Sequence, residues 1–268
     1  IEQQHAMTGV VTLDSADSGV VCVTLDHSGK FNAMSRAMWR SLRRVFVDIQ
    51  RDTNVRCVVL RGQGGHFCAG GDIAEYAHFR FEEESLRDFH ENDVWGALQA
   101  VLDCDVPIIA RIDGNCMGAG VEIASCCDVR IASETSRFGA PIAKLGFPMA
   151  PREAALVLRA VGELTAREML LTAAVLDAAQ MQSRGFLNRV VAMPALDAAV
   201  AGFVDRISQL APQAARLNKQ TFRAIAPVDI DSIATEMIAN AYRYANSSEH
   251  REGVTAFTDK RSPRFGGL

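Results

Sequence analysis

The sequence predicts an α/β fold with a helical C-terminal region, and three observations support this prediction. Two β-rich apolar runs each end in a glycine-rich corner, over 62–73 and 114–128, that leads into a segment able to start a helix. Apolar residues make up 49% of the 268 positions, which is enough for one sizeable core. After Pro194 the periodic segments are helical. We therefore divide the chain into an α/β core, residues 1–192, and a helical region, residues 195–268.

The individual elements follow from the spacing of apolar residues. From Ser35 onward apolar side chains recur every three or four positions, which predicts an amphipathic helix over 36–51 with Ser35 as its N-cap. Charged residues interrupt the next helical stretch, over 73–101. The remaining predicted strands are 8–13, 20–25, 55–61, 107–112, 129–132 and 187–191, and the remaining predicted helices are 119–127, 151–172, 177–184, 195–210, 212–225 and 229–246.

Composition and charge argue against several functional classes. The 28 Lys and Arg residues face 32 Asp and Glu, so the formal charge of −4 gives no general attraction to nucleic acid or to anionic membranes. The sequence has no run of about 18 apolar residues that could span a bilayer. Seven cysteines without a CxxC pair indicate reduced core residues in a cytoplasmic compartment, or in the mitochondrial matrix if a transit peptide has been removed.

The two glycine corners are the features most relevant to function. Each would leave free backbone N–H groups where a strand turns into a helix, so that both could share one anion. Glu122 follows the second corner just inside its predicted helix, and we expect it to carry the chemistry, although the helix dipole alone also favours a carboxylate there. The chain lacks GxGxxG and GxxxxGK[ST] spacings and any His or Cys cluster with metal-ligand spacing, which disfavours nucleotide cofactors and metals.

Five segments carry a family resemblance. They are KFNAM (30–34), HFCAGGDI (66–73), the run from Pro107 through GAGVEIASCCD (118–128), FGAPIAKLGF (138–147) and AFTDKRSP (256–263). In this order they resemble the crotonase, or enoyl-CoA hydratase/isomerase, superfamily over nearly the whole chain. The resemblance implies a crotonase-like spiral of repeated ββα units and a C-terminal helical region that builds homotrimers and often hexamers. It also implies acyl-CoA thioester substrates and no separate cofactor, since coenzyme A enters as part of the substrate.

The resemblance further implies roles for particular residues. In this family two backbone N–H groups hold the thioester oxygen, and the matching positions are Gly71 and Ala119, the latter replacing a more usual glycine. Removing one such donor costs roughly 3–4 kcal/mol of transition-state stabilisation. The positions that match coenzyme A contacts are Lys30, Ala33, Ala69 and Ile73, together with Phe257 and Lys260, which would reach the coenzyme A of a neighbouring subunit.

The reaction is harder to derive than the family. Hydratases of this superfamily place two carboxylates around a water, and Glu122 matches the first of them. The second would follow Pro141, where this chain has Ile142, which cannot exchange a proton. The alternatives are a hydratase that recruits Glu153, an isomerase that uses Glu122 alone, an acyl-CoA hydrolase or decarboxylase, and an acyl-CoA-binding protein without activity.

Two reactive side chains and the acyl pocket complete the predictions. His66 could assist catalysis but is expected on the exposed lip of its loop, and Cys116 has no visible His partner and is expected in the core. The acyl pocket should be lined by the segment 74–101 and the C-terminal helices. Its candidate aromatic residues are Phe79, Phe81, Trp95 and Tyr242.

Overall fold

Two sheets organise the structure, which is a computed structural model that describes residues 9–15, 18–225 and 234–265. The strands are β1 (Val10–Ser15), β2 (Val20–Asp26), β3 (Cys57–Gly62), β4 (Ile108–Ile112), β5 (Asn115–Met117), β6 (Val129–Ser133), β7 (Arg137–Gly139), β8 (Val175–Asp177) and β9 (Arg189–Val191). The larger sheet has the order β1-β2-β3-β4-β6-β9, and its neighbours are parallel except for the antiparallel pair β1 and β2. The smaller sheet has the order β5-β7-β8. The predicted opening hairpin is thereby confirmed.

Most helices lie where the apolar spacing predicts them. Their bounds are α1 (Arg36–Arg51), α2 (Glu83–Asp88), α3 (Trp95–Asp103), α4 (Ala119–Ser125), α5 (Pro151–Val161), α6 (Glu163–Thr172), α7 (Ala178–Ser183), α8 (Leu196–Gln209), α9 (Pro212–Ala224), α10 (Thr235–Asn240) and α11 (Ser248–Thr258). Short 3-10 turns cover Ile73–His78, Ile142–Leu145 and Met193–Ala195, and a π-helical segment covers Phe89–Val94. The prediction of one helix over 151–172 is wrong, because Gly162 (φ +81°) separates α5 from α6.

Helix α1 illustrates how the sequence determines an element. The Ser35 side chain accepts a hydrogen bond from the Met38 N–H at 3.2 Å and so satisfies one of the free donors at the helix start. Of the periodic apolar stripe, Met38, Leu42, Phe46 and Ile49 are buried together with Trp39, and Val45 is half-buried. Fully burying such a side chain contributes roughly 1.5–3 kcal/mol. The predicted helix and its predicted cap are both confirmed.

The chain repeats one unit, a strand in the large sheet followed by a strand in the smaller layer and then a helix. The unit is complete in β4–β5–α4 and in β6–β7–α5. Two earlier units have a single bridging residue in place of the second strand: Met34 pairs with Gly71 after β2, and Cys68 pairs with Cys116 after β3. The second strands of successive units therefore lie side by side and wind as a spiral. The predicted fold class is confirmed, with four such units where the glycine corners indicated two.

The C-terminal helices pack on different parts of the core. Helix α8 lies on the large sheet, where Leu196 and Val200 form a second apolar cluster with residues of β3, β4 and β6. Helix α11 packs against the turns Ile142–Leu145 and Ile73–His78. The predicted division into residues 1–192 and 195–268 stays a prediction. Helix α8, although it follows that division, packs directly on the large sheet.

The predicted helix over 229–246 is only partly described. Its residues 229–233, like position 8 of the first predicted strand, lie outside the described ranges, and Thr235–Asn240 forms α10. Of the helices that the structure describes, none is long and apolar enough to cross a membrane.

Candidate active site

The two glycine corners lie side by side and are joined by backbone hydrogen bonds. The Cys68 N–H donates to the Asn115 carbonyl and the Met117 N–H donates to the Cys68 carbonyl, each at 2.9 Å. Gly120 permits this close approach, because a Cβ at that position would lie 2.6 Å from the Cys68 carbonyl oxygen. The pairing holds the loop after β3 against the start of α4.

Two backbone N–H groups at this junction have no acceptor within the described residues. Ala119 is the first residue of α4, so its N–H has no intrahelical partner, and Gly118 turns the chain into the helix with a φ of +48°. The Gly71 N–H likewise donates to no backbone or side-chain acceptor of the described chain. The first corner differs from its prediction in one respect, since Gly71 leads through the N-cap Asp72 into a 3-10 turn.

A cavity of about 820 Å³ lies beside both corners and reaches helix α11. It is lined by all nine residues that were predicted as oxyanion donors, acid/base or coenzyme A contacts: Glu122, Gly71, Ala119, Lys30, Ala33, Ala69, Ile73, Phe257 and Lys260. Its volume is in the range of small-molecule sites. Among the described residues, no group of three or more His, Cys, Asp or Glu side chains could hold a metal ion. The structure brings the predicted residues together, while their individual roles stay predictions.

Glu122 is a partly exposed carboxyl on the first turn of α4 that lines the cavity. Its pKa is raised to about 8, chiefly by burial and secondly by the Glu153 carboxylate, while Arg80 opposes both effects. In the described chain no donor forms a hydrogen bond with the Glu122 carboxyl group. A carboxyl with this pKa can take up and release a proton near neutral pH.

The second carboxylate of a conventional hydratase is absent from the described cavity wall. Ile142 lines the cavity at the position in question, so the wall is apolar there. Glu153 lies in the first turn of α5, is 2% exposed and does not line the cavity. Its carboxylate is hydrogen-bonded to His90 Nδ1 at 3.1 Å. Glu153 therefore has no direct access to a ligand, and its connection to the cavity runs through His90.

His90 is a cavity residue without any sequence signal of its own. Its ring lies in the π-helical segment and stacks on Tyr242, with the ring centroids 5.4 Å apart. Burial lowers the pKa of His90, and Glu153 only partly offsets that effect, so the ring is neutral. A neutral ring that donates from Nδ1 to Glu153 leaves Nε2 as an acceptor, and Nε2 has no partner in the described chain.

Arg80 is a second cavity residue that the sequence did not indicate. Its side chain is buried, and its guanidinium carbon lies 4.2 Å from the ring centroid of Tyr76 and 3.9 Å from that of Phe147. Nη2 donates to the Tyr244 hydroxyl at 3.3 Å, whereas Nε has no partner among the described residues. The wall thus contains a positive charge that is stacked on aromatic rings.

Lysines surround the mouth of the cavity. Lys30 Nζ forms an ion pair with Asp72 Oδ2 at 2.6 Å, and the exposed side chains of Lys144 and Lys260 also contribute to the lining. Lys144 was not predicted. Phe257, which is 57% exposed, lines the cavity of its own chain. The prediction that it and Lys260 reach a neighbouring subunit stays a prediction.

Three other predicted residues lie around the corners. The Ala69 N–H donates to the Phe31 carbonyl at 3.0 Å, which leaves the Ala69 carbonyl for a ligand. His66 does not line the cavity, and its Nδ1 accepts a hydrogen bond from the Asn115 N–H at 3.2 Å, so the ring braces the second corner. Cys116 is fully buried, as expected of a core residue, and burial raises the pKa of its thiol.

The aromatic lining differs from its prediction. Tyr76, Phe89 and Phe147 line the cavity. None of the four aromatic residues that were expected there does so: Phe79, Phe81, Trp95 and Tyr242. The predicted segments do contribute to the lining, but the prediction of these four residues was wrong. For Phe79 and Phe81 the reason is that residues 73–94 include a 3-10 turn and a π-helical segment, which depart from the 3.6-residue spacing of an α-helix.

Known proteins resemble this chain over almost its whole length. The sequence profile of the family described as enoyl-CoA hydratase/isomerase matches residues 15–267. A probable enoyl-CoA hydratase of Mycobacterium bovis is 30% identical over 263 residues, which cover 97% of this chain and 99% of that protein. An enoyl-CoA hydratase/carnithine racemase structure from Magnetospirillum magneticum is 34% identical, with a TM-score of 0.78 and coverage of 97% of this chain and 96% of that one. A methylmalonyl-CoA decarboxylase structure is 26% identical, with a TM-score of 0.83 and coverage of 97% and 98%. The chain therefore belongs to the enoyl-CoA hydratase/isomerase family of enzymes, in the crotonase superfamily, as its five motifs predicted.

Proposed function

We propose that this enzyme moves protons on an acyl-CoA thioester by way of an enolate, whose oxygen accepts hydrogen bonds from the Gly71 and Ala119 N–H groups. The observation that carries this proposal is the pair of free backbone donors in one cavity with Glu122. Donors that the fold holds in place need no reorganisation when negative charge develops, and each is worth roughly 3–4 kcal/mol. The lysines at the mouth would bind the phosphates of coenzyme A.

Double-bond isomerisation is the first candidate reaction, because it needs only the Glu122 carboxyl group and the two backbone donors. The Glu122 carboxylate would take a proton from Cα of a 3-enoyl-CoA, and the electron pair would move onto the thioester oxygen. The resulting carboxylic acid would return the proton at Cγ, which gives the 2-enoyl-CoA. A pKa of about 8 suits both steps, because the group is basic enough to take the proton and acidic enough to return it.

Hydration is the second candidate, and the hydrogen-bonded pair of His90 and Glu153 favours it. Glu153 would orient the His90 ring so that Nε2 accepts a proton from the water that attacks Cβ. Glu122 in its acid form would deliver a proton at Cα. The name of the M. bovis relative supports hydration, whereas the decarboxylase relative supports formation of the same enolate by loss of carbon dioxide.

A substrate panel separates these reactions. The purified protein is offered a 3-enoyl-CoA, crotonyl-CoA, a malonyl-type thioester and a saturated acyl-CoA, and the readouts are double-bond shift, hydration, carbon dioxide release and free thiol. We expect the double-bond shift to be fastest and Glu122→Gln to lower its kcat/KM by about a thousandfold. The exposed Glu163→Gln on α6 is the matched control and should be neutral.

Two outcomes of this panel would overturn the proposal. Full turnover by Glu122→Gln would remove Glu122 from the chemistry. Binding of coenzyme A esters without turnover of any of the four would instead favour an acyl-CoA-binding protein without activity.

We propose that the chain assembles into homotrimers, or into hexamers as dimers of trimers, through its C-terminal helices. Around helix α9 the side chains of Leu217, Phe222 and Ile225 are exposed by 49%, 66% and 70%, which is unusual for an isolated surface. Light scattering after gel filtration should give three or six chain masses. Phe222→Asp should reduce that mass, since a buried unpaired carboxylate opposes association, and an unchanged mass would exclude this face.

We also propose a reducing compartment such as the cytoplasm. All seven cysteines are free and six of them are buried, which is the state that a reducing environment maintains. Fractionation of the source cells with an antibody against the protein tests this location.

A further inference from the structure

Arg80 carries a positive charge that the described cavity wall does not neutralise. Its side chain is 1% exposed and lines the cavity, yet no carboxylate of the described residues forms an ion pair with it. The one side-chain hydrogen bond of Arg80 in the described chain runs from Nη2 to the Tyr244 hydroxyl at 3.3 Å, and Nε has no partner. A buried cation without a counter-ion destabilises the site. A bound anion would remove that cost.

Aromatic rings restrict how an anion can approach this guanidinium. Its central carbon is 4.2 Å from the Tyr76 ring centroid and 3.9 Å from the Phe147 centroid, and these two rings are tilted by 63° to each other, so they cover two different sides of the guanidinium. The N–H bonds of a guanidinium lie in its plane and point outward from its edge, where a carboxylate can accept two of them together. Nε has no partner among the described residues, so the edge of the guanidinium still offers a donor to a carboxylate.

Tyr76 places Arg80 close to the predicted thioester site. A Cβ on Gly71 would collide with the Tyr76 hydroxyl, so that hydroxyl lies beside the predicted oxyanion donor. Arg80 stacks on the same Tyr76 ring. An acyl chain that starts at Gly71 therefore needs to pass only one aromatic ring to reach the guanidinium.

The acids nearby do not supply the missing negative charge. Glu122 lines the same cavity, but its pKa of about 8 leaves it mostly neutral at pH 7, even though Arg80 pulls that pKa down. Glu153 does not line the cavity and is hydrogen-bonded to His90. Asp72, the other carboxylate of the described lining, is paired with Lys30, so it does not neutralise Arg80 either.

We propose that Arg80 binds a carboxylate at the far end of the acyl group, so that the enzyme takes coenzyme A half-thioesters of short dicarboxylic acids. This inference rests on the proposed acyl-CoA function, because the thioester oxygen at Gly71 determines where the acyl chain begins. The chain passes Tyr76, and its terminal carboxylate pairs with the edge of Arg80. A monocarboxylic acyl group of the same length leaves the cation unpaired.

The test compares two saturated ligands that the enzyme can neither isomerise nor hydrate. Glutaryl-CoA and its uncharged terminal amide have nearly the same size and the same coenzyme A, so calorimetric titration isolates the effect of the distal charge. Wild-type protein should bind glutaryl-CoA at least about tenfold more tightly, which corresponds to about 1.4 kcal/mol. In Arg80→Met this preference should disappear while the affinity for the amide stays within a few-fold. Arg251→Met, which removes an arginine stacked on Phe81 outside the cavity, should keep the wild-type preference.

The possible outcomes distinguish a failure of the role of Arg80 from a failure of the proposed acyl-CoA function. Equal binding of both ligands by wild-type protein overturns the role of Arg80 and leaves the acyl-CoA function intact. Equal weakening of both ligands in Arg80→Met, with an unchanged preference, also overturns it and makes Arg80 a packing residue. Failure of wild-type protein to bind either ester overturns the proposed function itself. If Arg80→Met does not fold, the wild-type comparison and Arg80→Lys, which should retain a reduced preference, decide the question.

Discussion

The two sides of the cavity are built in different ways. The side formed by the glycine corners consists of backbone: the Gly71 and Ala119 N–H groups, held by hydrogen bonds between neighbouring ββα units. The side formed by residues 73–94 consists of side chains, with Arg80 and His90 buried among aromatic rings. The first side can stabilise charge on any acyl-CoA thioester, and the second side can distinguish among acyl groups. In the proposed isomerisation, the backbone side would stabilise the enolate and the side-chain side would distinguish among acyl groups.

The backbone side can be tested by removing one donor, the Ala119 N–H group. Ala119→Pro does so, because proline is tolerated at the first position of a helix and lacks an N–H group. We expect kcat to fall by about 10²–10³ in the double-bond shift, as for other oxyanion-hole donors. Ala119→Gly keeps the N–H and should stay within a few-fold of wild type. Equal activity of the proline and glycine variants would show that this donor does not contact the developing charge.

The same contrast explains what could be predicted from the sequence. The corners are local features. A short stretch of sequence contains both the buried strand and the glycines that follow it, and Glu122 comes directly after the second of these stretches. The surroundings of Arg80 and His90 are not local: Arg80 bonds to Tyr244 and His90 bonds to Glu153, both far along the chain. No periodicity connects such partners. The sequence therefore does not predict which side chains form this wall of the cavity.

The fold shows the same limit at a smaller scale. All six strands of the large sheet were predicted, including β9 with its three residues, whereas β5, β7 and β8 also have three residues each and were not predicted as strands. Three residues are too few to show an alternating pattern, and β9 was predicted only as part of the longer range 187–191. The repeated unit was visible twice because its glycine corners are conspicuous, and its other two copies lack them.

The pH dependence of kcat/KM tests how the surrounding side chains set the pKa of Glu122, the carboxyl that lies beside the backbone donors. In the proposed isomerisation the Glu122 carboxylate takes the first proton, and the pKa of Glu122 is about 8. Below pH 8 the carboxylate fraction grows about tenfold per pH unit, so kcat/KM should rise at that rate and level off above pH 8. His90 has a lowered pKa and Tyr76 a raised one, so neither titrates near pH 8. Hydration with Glu122 as the acid predicts the opposite, a fall above pH 8.

Glu153→Gln should give the smallest change in activity, and it tests directly whether a side chain outside the cavity controls the pKa of Glu122. Its carboxylate raises the pKa of Glu122, so removing that charge should move the rising limb of the pH profile toward lower pH and increase isomerisation at pH 7. The glutamine oxygen can still accept the hydrogen bond from His90 Nδ1, so the packing of the ring is maintained. Glu163→Gln controls for the loss of one negative charge elsewhere.

If hydration is instead the reaction, Glu153→Gln should lose activity at every pH, because the acceptor strength of His90 Nε2 depends on the Glu153 carboxylate bonded to the same ring. An unmoved limb with full activity would mean that Glu153 influences neither the proton affinity of Glu122 nor the reaction.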